Sequence, residues 1–295
     1  VRASVEEPVI SETPDAAQQE FPDWSNEMGE RWLAHLDQFE GMIAGVGEAL
    51  LDFAAFKPNE RVVDVGCGAG PSTLDIARRL GPEGFVLGLD VSPALVGAAN
   101  ERAEAEDHNR IAFRLADAAV DTPPEAPFDV LFSRFGLMFF EDPGAAFAHM
   151  RGWLRPGGRL AMSCWAPPRE NPWIMAVQGV LKRHFEMPER DPTLPGPFAL
   201  ADTDRLTRIL TGAGFTNVAI EPWRGRQPVG GPGSTPATAT DFAIEGMSIG
   251  TLLEEQPDEV VAQIRGEIEA AFAPGAGPGG VMMEGAAWFV SAKNP

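Results

Sequence analysis

Tyrosine is absent from all 295 residues, so neither a phenolic base nor a tyrosine lid can exist here. Aromatic walls must come from the 7 tryptophans and 18 phenylalanines. Cysteine is nearly absent: Cys67 and Cys164 alone make neither a disulfide framework nor a metal cluster. The 4 histidines include no pair at metal-ligand spacing, and no metal is expected. Basic residues are scarce, 23 against 43 acidic, giving a formal net charge of −20. That field repels nucleic acid and anionic membrane, so neither is expected as a partner. Long apolar runs are missing too; Phe128 to Phe140 is interrupted by Asp129 and Arg134. The stretch Val1 to Glu7 lacks the basic-then-apolar plan of a signal peptide, and the expected location is the cytoplasm. No internal repeat is visible.

With 44% hydrophobic residues a sizeable core can form. The chain is organised around Arg61 to Gly70. Val62, Val63 and Val65 predict a strand buried on both faces, carrying one carboxylate, Asp64. Gly66, Gly68 and Gly70 follow at alternate positions, where a backbone can take positive φ and a ligand can approach closely. Pro71 then opens a helix with Leu74, Ala77 and Leu80 on one face. Strand, glycine turn and helix form the crevice of an open parallel sheet. The dinucleotide fingerprint wants glycine or alanine where Pro71 stands, and the phosphate loop wants a lysine that is not there. What remains, Asp-x-Gly-x-Gly-x-Gly, suits a ligand with a cationic end.

Residues 1–21 read as a loose arm and 22–295 as a single domain. Helices are expected over Trp24–Gln38 and Met42–Phe56, forming a cap over 22–57. A core follows over 58–165, with strands at Phe85–Asp90, Ile111–Ala116, Phe128–Arg134 and Arg159–Trp165, and helices at Pro93–Glu106 and Pro143–Leu154. This alternation predicts a parallel sheet with helices on both faces. The rhythm breaks over 166–214, read as an inserted lid with helices at Trp173–Phe185 and Asp202–Thr211. Residues 215–295 complete the sheet with strands at Phe215–Pro222 and Ala286–Val290, and helices around Asp241–Leu253 and Asp258–Phe272. Pro228–Pro236 and Pro274–Gly280 read as flexible connections.

The first three strands each end on a carboxylate, Asp64, Asp90 and Asp117. In a parallel sheet those ends lie side by side. One such Asp can merely cap a turn, but three behind a glycine loop point to a shared ligand. On Val62–Gly70, Gly88–Ser92, Ala116–Ala118, Phe128–Ser133 and Leu154–Leu160 the chain resembles the class I S-adenosylmethionine (SAM) methyltransferases. It is most similar to the bacterial relatives of the ubiquinone/menaquinone C-methyltransferases. The resemblance implies a Rossmann-like, seven-stranded, mostly parallel sheet whose last strand inserts antiparallel. It also implies SAM as cofactor and S-adenosylhomocysteine as product. The loop Gly66, Cys67, Gly68 and Gly70 would face the methionine part, with Asp64 near the ammonium. Asp90 would take the ribose hydroxyls, Val91 an adenine face, Asp117 and Ala118 the adenine amine, and Ser133 the methionine end.

Strand four ends Ser133-Arg134-Phe135-Gly136 rather than in the Asn/Asp-Pro-Pro-aromatic signature of nucleobase methylation, so the expected acceptor is a small or medium-sized molecule. On its side stand Trp24, Trp32, His35, Arg134, Trp165 and Trp173, each of which could equally be packing. Arg134, at the crevice, must meet an acid such as Asp37 or Glu141, the SAM carboxylate or an anionic substrate. Cys67 reads as loop packing rather than a nucleophile, and no catalytic residue stands out. Two rivals remain at this stage, a nicotinamide-dependent oxidoreductase and a non-catalytic SAM-binding module. The acceptor atom and a homo-oligomeric state are both open.

Overall fold

The computed structural model describes residues 23–105, 110–187, 191–247, 249–254 and 256–295. The arm expected at 1–21 lies outside them. Helices α1 (Glu27–Ala34) and α2 (Leu36–Ala54) precede β1 (Arg61–Val65), α3 (Pro71–Arg79), β2 (Phe85–Asp90), α4 (Pro93–Ala105) and β3 (Ile111–Leu115). Then come β4 (Phe128–Arg134), α5 (Pro143–Arg151) and β5 (Leu154–Trp165). The remainder is α6 (Pro172–His184), α7 (Thr203–Gly212), β6 (Thr216–Val229), α8 (Pro236–Gly246), α9 (Gly250–Leu253), α10 (Asp258–Phe272), β7 (Ala276–Gly277) and β8 (Gly280–Lys293).

One mixed sheet runs in the order β3-β2-β1-β4-β5-β8-β6, with β7 paired to β8 off that path. Strands β1 to β5 are mutually parallel, and β8 enters antiparallel between β5 and β6. Strand order reverses between β1 and β4. Right-handed crossovers therefore place α3 and α5 on opposite faces, and a crevice opens at the carboxyl ends of β1 and β4. The core explains the strand choice: Val62, Val63, Val86, Leu87, Val130 and Leu131 are all fully buried, as a sheet covered on both faces requires.

The structure corrects several expected boundaries. The first long helix breaks at His35, not near Gly41, because Trp32 folds back to stack on Phe39 with ring centroids 3.8 Å apart. The expected seven strands become eight with the short β7, which turns the supposed loose loop at 274–280 into a hairpin arm on β8. Likewise Pro228 and Val229 continue β6, and Thr235 caps α8 with a reciprocal side-chain box with Thr238. Pro222 and Pro228 are tolerated because β6 is the outermost strand on that side and need not donate outward. Within 166–214, α6 packs on α10 and β8, whereas α7 lies against α5 and β6 as a crossover helix.

Strand β8 holds the sheet's two parts together. Its Val290, Ala287 and Ala292 are buried, and Phe289 meets Phe53 of α2 with centroids 5.4 Å apart. Burying Phe289 and Val290 contributes roughly 1.5–3 kcal/mol each, against a total stability of roughly 5–15 kcal/mol for a domain. Deleting residues 284–295 is therefore expected to abolish the cooperative thermal transition seen by circular dichroism. A truncated protein melting at the parental temperature would contradict this role for β8.

Candidate functional site

Asp64 ends β1 fully buried. Its Oδ2 accepts hydrogen bonds from Ser72 Oγ and Thr73 Oγ1, both at 2.7 Å, which fastens the first turn of α3 to the strand. Its Oδ1 is buried and has no partner among the described residues. Burial pushes the Asp64 carboxyl up to about 6, opposed by the two hydroxyls and by the charge of Arg134. The loop beside it makes a close backbone approach. Gly66, at φ 70°, lies so near Gly136 that a Cβ would stand 2.7 Å from the Gly136 Cα. Gly68, at φ 56°, faces open space.

Asp90 ends β2, 9% exposed. Its Oδ2 accepts from the Gly68 amide at 2.8 Å and its Oδ1 from the Ser92 amide at 2.9 Å. A carboxylate offers about four acceptor sites, so each oxygen keeps one for a ligand. Burial raises its pKa, with those backbone donors opposing. Val91 beside it is 37% exposed. Asp117 is exposed, and its Oδ1 accepts from the Ala119 amide at 2.9 Å, so part of its capacity serves its own turn; Ala118 is buried. Cys67 packs with Val96, Ala99 and Phe113, and burial pushes its thiol pKa up, which suits packing and not nucleophilic attack.

At the end of β4, Ser133 donates to the Val65 carbonyl at 2.7 Å and accepts from the Gly136 amide at 3.2 Å. It clamps the two strand ends that border the crevice. Arg134 meets an acid, but one that sequence reasoning missed: its Nη2 donates to both carboxylate oxygens of Glu40 on α2 at 2.8 Å. Phe135 holds a positive φ of 62° and stacks on Trp165 at 4.2 Å. A bulky residue in that region carries strain, of the kind that gathers where a site over-determines the backbone.

The aromatic residues form two groups. Trp24 meets Trp32 at 5.8 Å and Phe139 at 4.8 Å, Trp32 stacks on Phe39, and Phe39 and His35 each meet Phe242 edge-on. Phe135, Trp165 and Trp173 form the second, with Trp173 held by a 3.0 Å bond from its Nε1 to Asn171 Oδ1. The first group lies over the end of β2: a Cβ on Gly29 of α1 would overlap Ser92 Oγ. Trp24 Nε1 and His35 Nδ1 are buried without partners among the described residues. Ser72, Thr73, Gly136 and Glu40 escaped sequence reasoning. Only the first two carried a signal, as hydroxyls at the start of the helix behind a buried carboxylate.

Residues 62–158 match the family model of the methyltransferase domain. Phosphoethanolamine N-methyltransferase 1 of Arabidopsis thaliana is 28% identical over 56% of this chain, which spans 30% of that relative's length. Aklanonic acid methyltransferase DauC of Streptomyces sp. strain C5 is 27% identical over 59% of this chain and 82% of its own. In fold, the chain is similar to a Haemonchus contortus phosphoethanolamine N-methyltransferase 2 solved with S-adenosyl-L-methionine. That likeness has a TM-score of 0.57 at 17% identity, over 95% of this chain and 61% of the other. Over residues 62–158 the chain is similar to a methyltransferase domain, and its fold is similar to that of solved methyltransferases, one of them holding S-adenosyl-L-methionine. Its residues fit the cofactor: an acceptor oxygen buried at Asp64, free acceptor sites on Asp90 and a glycine loop open to a ligand.

Asp64 makes a pH prediction. Its folded pKa of about 6 lies above the ordinary 3.8, so the native state binds the proton more tightly. Stability of the ligand-free protein should fall as pH rises from 4 to 6 and level off above, by roughly 3 kcal/mol from this group. Asp64→Asn keeps an acceptor for Ser72 and Thr73 without the charge. Urea unfolding between pH 4 and 8 should show the decline flattened in the variant; an unchanged slope would refute the assignment.

Proposed function

We propose that this chain transfers a methyl group from SAM to a small or medium-sized organic acceptor, by in-line displacement at the sulfonium, releasing S-adenosylhomocysteine. One observation carries the reading: the buried, unpartnered Asp64 Oδ1 beside an open glycine loop. A buried carboxylate oxygen without a donor is costly, and the ammonium of a methionine moiety supplies one. Asp90 then receives the ribose hydroxyls, Val91 packs on the adenine, and Asp117 with Ala118 addresses its amine. Ser133 and Gly136 keep the crevice mouth in shape. Methyl transfer requires holding acceptor and methyl in line more than any covalent nucleophile.

Residues 22–295 are read as one domain, with α1 and α2 as the cap and α6 as the covering part of the insertion. The acceptor side is read at the Phe135, Trp165 and Trp173 group and at the Trp24 and Trp32 group. The branch near the ubiquinone/menaquinone C-methyltransferases and a cytoplasmic location belong to the same proposal. Among the described residues no helix is long and apolar enough to cross a membrane, and no group of three or more His, Cys, Asp or Glu could hold a metal ion.

The test is cofactor binding followed by turnover. S-adenosylhomocysteine, and not NADH, should raise the melting temperature. Asp90→Ala should weaken S-adenosylhomocysteine binding by about 2–4 kcal/mol, roughly thirty- to a thousandfold, by calorimetry. Incubation with methyl-labelled SAM and a metabolite extract should label a small molecule. Unchanged affinity in a folded Asp90→Ala protein would sink the cofactor assignment, and tight binding with no labelled product would favour a non-catalytic SAM-binding module.

A further inference from the structure

Gln227 lies on β6, 2% exposed, and neither its Nε2 nor its Oε1 has a hydrogen-bond partner among the described residues. A buried primary amide with both ends unpaired is rare, because each end forfeits its bonds to water. Space has been made for it. Gly285 on β8 pairs with Gly225 on β6, and a Cβ on Gly285 would stand 2.6 Å from Gln227 Oε1. The amide thus folds back over Gly285, while the Trp223 ring covers Gly225 from the other side.

Register puts this amide on the face of the sheet that carries the candidate site. Asp64 pairs with Phe132, Arg134 with Ser163, Ser163 with Phe289 and Phe289 with Glu221. Side chains alternate along a strand, so Asp64, Arg134, Ser163, Trp165, Trp223 and Gln227 share one face. Gln227 sits at the end of β6, which runs parallel to β5, and so at the same carboxyl edge as the crevice. Next to it along β8 is Ala287, which pairs with Trp165 on one side and Trp223 on the other. Four strand spacings of about 4.8 Å separate β1 from β6, and Gln227 lies eight residues beyond Ala219, the β6 residue level with Asp64, so the amide is displaced from Asp64 by roughly 19 Å across the sheet and roughly 26 Å along it. The charged pair on this face, Arg134 with Glu40, is mutually neutralised.

We infer that Gln227 is the polar anchor of the acceptor pocket, and that the acceptor has an apolar body ending in a neutral group that both donates and accepts a hydrogen bond, such as a hydroxyl or a carboxamide. The inference rests on the methyl-transfer reading above. An ionised end group would be buried without a free counter-charge, whereas an amide and a neutral donor–acceptor satisfy each other completely. Gln227 is a binding residue at the far end of the pocket, remote from the methyl group; Gly285 leaves the hollow it occupies, and the Trp223 ring fills the space over Gly225.

The test uses the full chain saturated with S-adenosylhomocysteine and three matched probes: 2-naphthamide, 2-methylnaphthalene and 2-naphthoate. In the unaltered protein the amide should bind at least tenfold tighter than either of the others by calorimetry. In Gln227→Leu that preference should vanish, while S-adenosylhomocysteine affinity stays within twofold and the melting temperature is unchanged or higher, since removing an unpaired buried amide relieves its cost. A melting temperature several degrees lower would show the amide to be a structural bond and overturn the inference. So would an equal preference in both proteins, a preference for the naphthoate, or no preference at all. Failure of the unaltered protein to bind S-adenosylhomocysteine would instead defeat the methyl-transfer reading.

Discussion

A carboxyl group shut away from water must be given donors or give up its charge, and Asp64 is held between these outcomes. Two hydroxyls on one helical turn satisfy one of its oxygens, which ties α3 to β1 and sets the path of the glycine loop between them. That loop then fixes the neighbouring strand end. Gly66 can approach Gly136 only because neither has a side chain, and Ser133 joins the two segments through a carbonyl and an amide. The Gly68 amide, in turn, is one of the donors that keep Asp90 in place. The crevice is thus a chain of backbone contacts that starts from one buried acid.

What could be read in the sequence was whatever depends on local pattern. The valine-rich strand, the glycine spacing and the acids closing β1, β2 and β3 are periodic or adjacent signals, and the parallel sheet follows from their alternation. The relation of distant segments was not legible. Nothing in the chain announces that Arg134 would find Glu40, since the pairing depends on how α2 lies across β4. Prolines and glycines misled in two places, at 228–236 and 274–280, because composition cannot tell a mobile loop from the outer strand of a sheet or a tight hairpin. His35 likewise sat inside a helical pattern, and the stacking of Trp32 on Phe39 decided where that helix breaks.

The aromatic residues show how a chain without tyrosine builds its cover. Indole and phenyl rings stack in two separate groups, one rising from α1 and α2 and the other from the ends of β4 and β5 with α6. Their polar atoms are few, so the places where polarity does enter are specific: Asn171, whose amide oxygen accepts from Trp173 and from the Ala286 amide, ties α6 to β8. Electrostatics are handled in the same spare way. Arg134, whose charge bears on Asp64, is engaged by Glu40 of α2, which leaves the buried acid with no free counter-charge from that arginine.

The placement of β8 has a consequence for how the protein is made. Synthesis delivers β1 to β5 first, and β5 then carries an edge of unpaired amides and carbonyls along its length. That edge stays open while α6, α7, β6 and the helices that follow leave the ribosome, because its partner β8 comes after them all. A nascent chain in this state is a template for strand addition by any neighbour, another copy included. The helices made in the interval, α6 above all, are the material at hand to shelter the edge until β8 slides between β5 and β6. Yield in the cell should therefore depend on chaperone supply and growth temperature more steeply than the stability of the finished fold would suggest.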